Sequence, residues 1–461
     1  LWIILLLSVA LRVGIALYLG NGFEDVRGGT YDQISYDALA QRVVGGHGFS
    51  FAESSWPYAR ANQPTAFWSY LYTLYLAVIY LVFGHQPIVA RLLQAVATGV
   101  LMPWLSYRIA KRVFPHRTDR TAIIAAALVA GYLYLVTYSA SLMTEAFYMT
   151  AILWTIDVLL RVARRLRSPG DRVPPGLALE LGAAMGVALL LRQVIMFFLM
   201  AAMLWLLWQG LWHRRLWQSI RVVALSSVVI CTMLAPAIVR NYRVFGQLSL
   251  PNANAGFTFF WSNHPIYQGR FEAVLGPSHG LSYQQLIPEE LRQLNEVELD
   301  RALLKRGLAY VWDNPRDYFH LTVSRVPVLF LFWPTADSSG LSNVSRLLSF
   351  TICLPFMVYG MWLEWCRFWE AVTVHREEQR TSCGSSVIQL MATEPYASFM
   401  LLFLFFSIYT VIHLASWANV RYRLPMDAVA LLFAASALDS LLASLGNAMA
   451  RRTSRYNGTK D

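Results

Sequence analysis

The chain has 461 residues, 56% of them hydrophobic and only 14% charged, where a soluble domain has roughly 45–50% and about 25%. That imbalance excludes a soluble enzyme, a disordered chain and a collagen-like one, and charge-free runs such as 122–138 and 194–208 exclude an alternating outer-membrane barrel. The net charge of +11, from 38 Lys and Arg against 27 Asp and Glu, gathers in short stretches beside apolar runs, so it reads as the positive-inside rule and not as nucleic-acid binding.

A membrane-crossing helix needs about 20 apolar residues. Roughly ten spans are predicted, at 1–19, 88–110, 121–140, 146–160, 177–191, 194–212, 220–239, 344–363, 397–416 and 424–445. The chain begins at Leu1 inside an apolar run with no basic flank before it, so the first reads as a membrane helix and not as a signal peptide. Two further apolar stretches, 65–83 and 318–332, are ambiguous. If 65–83 lies along the interface, the basic clusters at 111–120, 161–172, 214–221, 367–380 and 451–455 all face the cytoplasm, as do both ends. If it crosses, several of them face outward. The interfacial placement is therefore preferred, and 318–332 is placed on the outer surface for the same reason.

Three polar regions then lie outside: 20–64, 240–343 with a helical stretch near 288–313, and 417–423. As one helix, 177–212 would be about 54 Å long, nearly twice a hydrocarbon core, so it must turn at Arg192-Gln193, which puts Arg192 at the outer face. Gly182 and Gly186 form a GxxxG pair that suits helix packing. Cys231, Cys353, Cys366 and Cys383 lack metal-ligand spacing and imply neither a disulfide nor a metal site. The expected organisation is a transmembrane catalytic module over 1–239 with its first outer loop at 20–87, an outer loop region over 240–343, and C-terminal membrane helices with a cytoplasmic tail over 344–461.

The first outer loop carries the sharpest local pattern. Thr30 and Gln33 fit a capping box, Tyr36, Leu39, Ala40 and Val43 share one helical face, and Gly45-Gly46 ends the helix. Asp32 sits in the first turn, where the helix dipole favours its ionised form, one turn from Tyr36. An ionised carboxylate just above the membrane suits a general base; the plainer alternative is a carboxylate that only complements the dipole. Asp37 points to another face and reads as a solvated charge. Glu145 lies between two spans, where ionisable residues are rare and usually functional, although a snorkelling glutamate would look the same. Arg192, Arg240, Arg421 and Arg423 fall at outer span ends, where an arginine needs a partner. A lipid phosphate would supply one, as would an ordinary carboxylate. His264 could ligate a metal, though a lone loop histidine seldom does. No P-loop, GxGxxG, HExxH or Ser-His-Asp signature is present.

In order along the chain stand Asp32-Tyr36-Leu39-Ala40, then Gly46-His47-Gly48-Phe49, and a proline-led apolar helix from Gln63-Pro64 to Phe83-Gly84. A span follows that opens Ala90-Arg91-Leu92-Leu93-Gln94 and ends Ala110-Lys111-Arg112-Val113-Phe114. Thr144-Glu145, Leu191-Arg192, Arg240-Asn241-Tyr242-Arg243-Val244-Phe245-Gly246 and Arg421-Tyr422-Arg423-Leu424-Pro425 complete the series. Together these resemble the GT-C glycosyltransferases that use polyprenyl-phosphate sugars, in particular the protein O-mannosyltransferases and the bacterial aminoarabinose transferases. The resemblance implies an all-α, polytopic GT-C-like fold in the cell membrane, with interfacial helices and loops on the outer face, and an inverting sugar transfer there.

On this resemblance Asp32 and Glu145 are the catalytic carboxylates and Arg192 faces the donor phosphate, helped by Arg240 or Arg421. Tyr36, Gln63, Asn241, His264 and Tyr422 complete the substrate-binding set. The implied partners are a polyprenyl-phosphate sugar, a lipid, glycan or protein acceptor, and membrane lipids, with no nucleic acid. Aminoarabinose transferases carry Glu-Lys where this chain has Asn62-Gln63, so no metal or other cofactor is expected to be required, and a divalent cation is left open. Two rivals stand: a lipid-linked oligosaccharide flippase or secondary transporter, and a catalytically dead scaffold of the same fold. A transporter should place its charges near the midplane, whereas here they cluster at one face.

Overall fold

The computed structural model describes residues 1–23, 31–56, 58–115, 119–168, 170–275, 282–335, 338, 340–379 and 382–457. Thr30, the expected capping partner of Gln33, lies outside the described residues. The helices in chain order are α1 (Trp2–Leu19), α2 (Tyr31–Val44), α3 (Tyr70–Phe83), α4 (Pro87–Val113), α5 (Asp119–Gly131), α6 (Leu133–Ala140), α7 (Glu145–Arg167), α8 (Pro175–Leu191) and α9 (Met196–Trp212). There follow α10 (Leu216–Phe245), α11 (Ala255–Ser262), α12 (Glu296–Asp313), α13 (Pro315–Leu329), α14 (Gly340–Arg346), α15 (Ile352–Gln379), α16 (Cys383–Ala392), α17 (Tyr396–Ala415) and α18 (Leu424–Asn457).

Each of the expected spans is helical. By length and composition, 8 helices among the described residues can cross a membrane, or 9 if the bent pair α5–α6 is one span. The remaining expected span, α8, has 17 residues, about 25 Å. The chain is a multi-pass, all-helical membrane protein. Helix α3, within the ambiguous stretch 65–83, has 14 residues, about 21 Å and short of a hydrocarbon core. Ser69 caps its start by accepting from the Tyr72 N–H at 3.4 Å. Leu74, Val78, Leu81 and Val82 form an exposed stripe at helical spacing, while Tyr72, Leu76, Ile79 and Tyr80 are buried against the protein.

The bundle is built around α7, of whose apolar window 83% is buried. The GxxxG pair works as expected: a Cβ at Gly182 would stand 2.7 Å from the Ser226 carbonyl, and one at Gly186 2.6 Å from Met233 Sδ, so α8 and α10 meet with almost no space between backbones. Between α5 and α6 the axis bends by 52°, which frees backbone carbonyls inside the protein. The fully buried Arg12 of α1 receives two of them, donating to the Val129 and Ala130 oxygens at 3.1 and 3.0 Å. Unmet carbonyls at membrane depth would cost several kcal/mol each, so a cation within α1 is retained for the bend in its neighbour.

The segment from α11 to α13 packs over the loop before α3. Asn295 and Glu298 form a capping box at the start of α12. Glu296 Oε1 then accepts from Ala66 N at 2.7 Å and Thr65 Oγ1 at 3.0 Å. Asp300 Oδ1 accepts from Gly256 N and Phe257 N at 2.7 and 3.1 Å, capping α11. Burial pushes Glu296 up to about 7 and Asp300 up to about 6.

Candidate active site

Four short segments converge on one cavity of about 2220 Å³. The first turn of α2 brings Asp32. The turn between α6 and α7 brings Thr144, with Glu145 buried behind the wall against Arg192. The break between α8 and α9 brings Arg192, whose extended backbone (φ −151, ψ 121) ends α8 where the sequence required a turn. A 3-10 turn over Val420–Arg423, just before α18, brings Arg421 and Tyr422. Each of these segments is a helix start, a helix break or a turn, and their side chains meet in one space.

The charges are tightly matched. Arg421 Nη1 donates to Asp32 Oδ2 at 2.6 Å and lies 3.9 Å from Glu145 Oε1. Arg192 bonds through Nη2 to Glu145 and through Nε to Thr144 Oγ1 at 2.8 Å. Glu145 is buried at the N-terminus of α7. The Tyr422 ring lies 5.4 Å from the Arg192 guanidinium and 5.2 Å from that of Arg421, within cation–π range. Tyr36 lines the same cavity, packed edge-on against Trp68 and Tyr72. Burial first, and then the Asp32 charge, push its phenol above the ordinary value, so it stays protonated.

Three polar side chains set this geometry. Gln33 Oε1 accepts from Leu142 N at 2.9 Å and from Arg91 at 3.2 Å. Arg91 also donates to the Ala140 and Gly22 carbonyls at 2.7 and 2.8 Å. Gln94 donates to the Ser139 and Ser141 carbonyls at 3.0 and 2.7 Å. The residue after Asp32 and the turn before Glu145 are thereby tied to the same stretch of α4.

Not every expected residue arrives. Arg240 donates to the Thr65 carbonyl at 2.8 Å, the Phe49 carbonyl at 3.3 Å and the Tyr70 hydroxyl. Asn241 holds Tyr70 and the Leu250 and Pro251 carbonyls. Both fasten the stretches before α3 and after α10 and lie outside the cavity wall. Gln63 is exposed at the surface. His264 accepts from Ile266 N at 3.2 Å, and burial lowers its pKa; it too stands off the cavity. Arg423 is buried against Asp427 and two carbonyls of the 329–331 stretch. Asp37 is no solvated charge. It is 6% exposed and accepts from Tyr80 at 2.6 Å, Gln41 at 2.7 Å and His85 at 2.9 Å, because α3 and the turn after it cover that face of α2.

His413 and Tyr138 also line the cavity and were hidden inside apolar runs. The His413 ring stacks on Tyr422 with centroids 5.1 Å apart, and its Nδ1 lies 3.1 Å from the Trp417 carbonyl. Among the described residues no group of three or more His, Cys, Asp or Glu is gathered to hold a metal, and the carboxylates of Asp32 and Glu145 face arginines. The cavity draws its wall from all three parts of the chain expected from the sequence, so none of them contains the site alone.

Residues 68–239 match the family described as dolichyl-phosphate-mannose-protein mannosyltransferase. No curated protein sequence is significantly similar to the chain. Among solved structures, the oligosaccharyltransferase of Archaeoglobus fulgidus, in complex with an inhibitory peptide and a dolichol-phosphate, superposes with a TM-score of 0.52 at 16% identity, over 98% of this chain and 52% of that one. Its apo form gives 0.52 at 15% identity, over 98% and 51%. The chain therefore spans about half the length of these structures. The aminoarabinose transferase of Cupriavidus metallidurans, bound to undecaprenyl phosphate, gives 0.37 at 16% identity over 90% and 77%, too low a score to carry a structural argument. The resemblance read from the sequence is borne out at the level of the fold, which is GT-C-like, and residues 68–239 carry the mannosyltransferase family match.

Proposed function

We propose that the chain is an inverting glycosyltransferase that moves a sugar from a polyprenyl phosphate to a lipid, glycan or protein acceptor at the outer face of the membrane. The observation that carries this reading is the meeting of Asp32 with Arg192 and Arg421 at one cavity, with Glu145 buried against the two arginines. Asp32 takes the proton of the acceptor nucleophile as it attacks the anomeric carbon. The phosphate departs already anionic, so it needs cations more than a general acid, and Arg192 and Arg421 supply them. Arg421 joins the two tasks. It donates to Asp32 at 2.6 Å, and a donor phosphate that draws Arg421 away leaves the carboxylate oxygen open to the acceptor's proton when a sugar is in place. Glu145 keeps Arg192 in position and orients the sugar or acceptor.

The oligosaccharyltransferase structure holds a dolichol-phosphate and a peptide; a lipid phosphate beside an acceptor is the same chemistry proposed here. The charges that line the cavity gather at a helix start, a helix break and a 3-10 turn and not midway along a span, which favours an enzyme over a transporter. The test is to incubate the purified protein in lipid with polyprenyl-phosphate sugars and candidate acceptors. Acceptor-dependent release of polyprenyl phosphate supports the reading. Movement of intact donor across the bilayer without release contradicts it.

A further inference from the structure

A second cavity, of about 590 Å³, opens at the far end of α7. Glu145 is the first residue of that helix, and Arg161, Arg164 and Arg165 follow 16 to 20 residues later, so the two sites stand about 24–30 Å apart along one axis. Its wall includes Arg112 of α4, Arg161, Arg164 and Arg165 of α7, Asp171, and Glu180 of α8.

The cations outnumber the anions. Beneath the wall the buried Asp157 is shared by Arg108 at 3.0 Å, Arg112 at 2.6 Å and Arg161 at 3.0 Å. Arg161 also engages Glu180. Arg165 reaches Asp171 only at 3.4 Å, with both side chains about half exposed. The Arg164 guanidinium has no hydrogen bond or ion pair among the described residues. Five arginines thus face three carboxylates, and the two arginines nearest solvent are the least satisfied. Like charges crowded in a partly enclosed space repel one another unless an anion joins them.

We propose that this cavity binds the phosphate of an anionic phospholipid headgroup. The cavity stands at the end of a membrane span, where headgroup phosphates lie. Basic recesses between span ends suit such headgroups, guanidinium forks pair with phosphate oxygens in bidentate fashion, and Pro174 and Leu177 give the wall an apolar side. The site is separate from sugar transfer and stands or falls without it.

The test compares retention of phosphatidylglycerol and phosphatidylcholine by the full chain in mixed micelles, with bound lipid counted by native mass spectrometry. The wild-type chain is expected to prefer phosphatidylglycerol. The Arg164→Gln, Arg165→Gln double variant is expected to lose that preference by roughly tenfold to thirtyfold. Arg164→Lys with Arg165→Lys keeps the charges and is expected to retain part of it, and the distant Arg376→Gln all of it. Equal retention of both lipids by wild type, or an unchanged preference in the glutamine pair, overturns the proposal. Full displacement of the lipid by inorganic phosphate at equal headgroup concentration overturns the lipid as its source.

Discussion

Arg192 holds one carboxylate and one hydroxyl in the structure, and both bonds fix its fork toward the cavity. Arg192→Ala should weaken donor binding by roughly tenfold to a hundredfold, the worth of a charge-assisted hydrogen bond. Arg192→Lys should recover only part, since a point charge replaces a planar fork. Titrating donor into each variant measures both. Asp37→Asn should leave donor affinity unchanged but cost about 1–3 kcal/mol of stability, because Tyr80 and His85 lose a charged acceptor in a buried place; denaturant unfolding reads it. At this scale the sequence was most legible where charge is rare. Asp32, Glu145, Arg192 and Arg421 stood out as ionisable groups at span ends. Arg240 stood out equally, yet serves loop carbonyls, because a cation that binds backbone and one that faces a cavity look the same in a string of letters. His413 and Tyr138 had no such contrast inside their apolar runs. Asp37 was misread because the cover over it comes from α3, more than thirty residues later.

Helices and their breaks were largely legible, and their contacts less so. The turn at Arg192 followed from length alone, and the glycine pair of α8 from its spacing. The partner of that pair, α10, and the service Arg12 gives to the α5–α6 bend depend on tertiary placement that no periodicity encodes. Gly182→Leu should cost about 1–3 kcal/mol or more, the usual range for overpacking, and more than Gly186→Leu. At Gly182 the obstacle is the backbone of Ser226, whereas at Gly186 it is the flexible Met233 side chain. Thermal unfolding of the two variants in one detergent gives the order. A pH dependence belongs to α11 and α12. Glu296 rises from 4.5 to about 7 and Asp300 from 3.8 to about 6 on folding, so the folded state binds more protons in that range. Stability from these groups is present at low pH and falls as pH rises through about 4 to 7. Hydrogen exchange at the Ala66 and Gly256 amides should therefore quicken from pH 5 to pH 7.5, beyond the intrinsic rate, and Glu296→Gln should flatten the change at Ala66.

For the whole molecule, the apolar runs fixed the class and the basic clusters argued for one orientation. The length of α3 agrees with the interfacial placement of 65–83. Single cysteines at Asn62 and Gly84, in a cysteine-free background, should both react with an impermeant thiol reagent from outside; reaction of Gly84→Cys only from the cytoplasm would reverse the placement of α3. What the whole arrangement accomplishes rests on Asp32. Its carboxylate enters the cavity from the first turn of α2, faces an arginine carried nearly four hundred residues later, and sits one turn from a protonated tyrosine. The most direct measurement is single-turnover sugar transfer by Asp32→Asn in lipid, with donor binding followed in parallel. Transfer should fall by about 10²–10⁴-fold, as for loss of a general base, while donor affinity is kept or tightened because Arg421 is released. Near-normal transfer in Asp32→Asn would contradict the account and leave Asp32 as a carboxylate that only pairs with Arg421 and begins a helix.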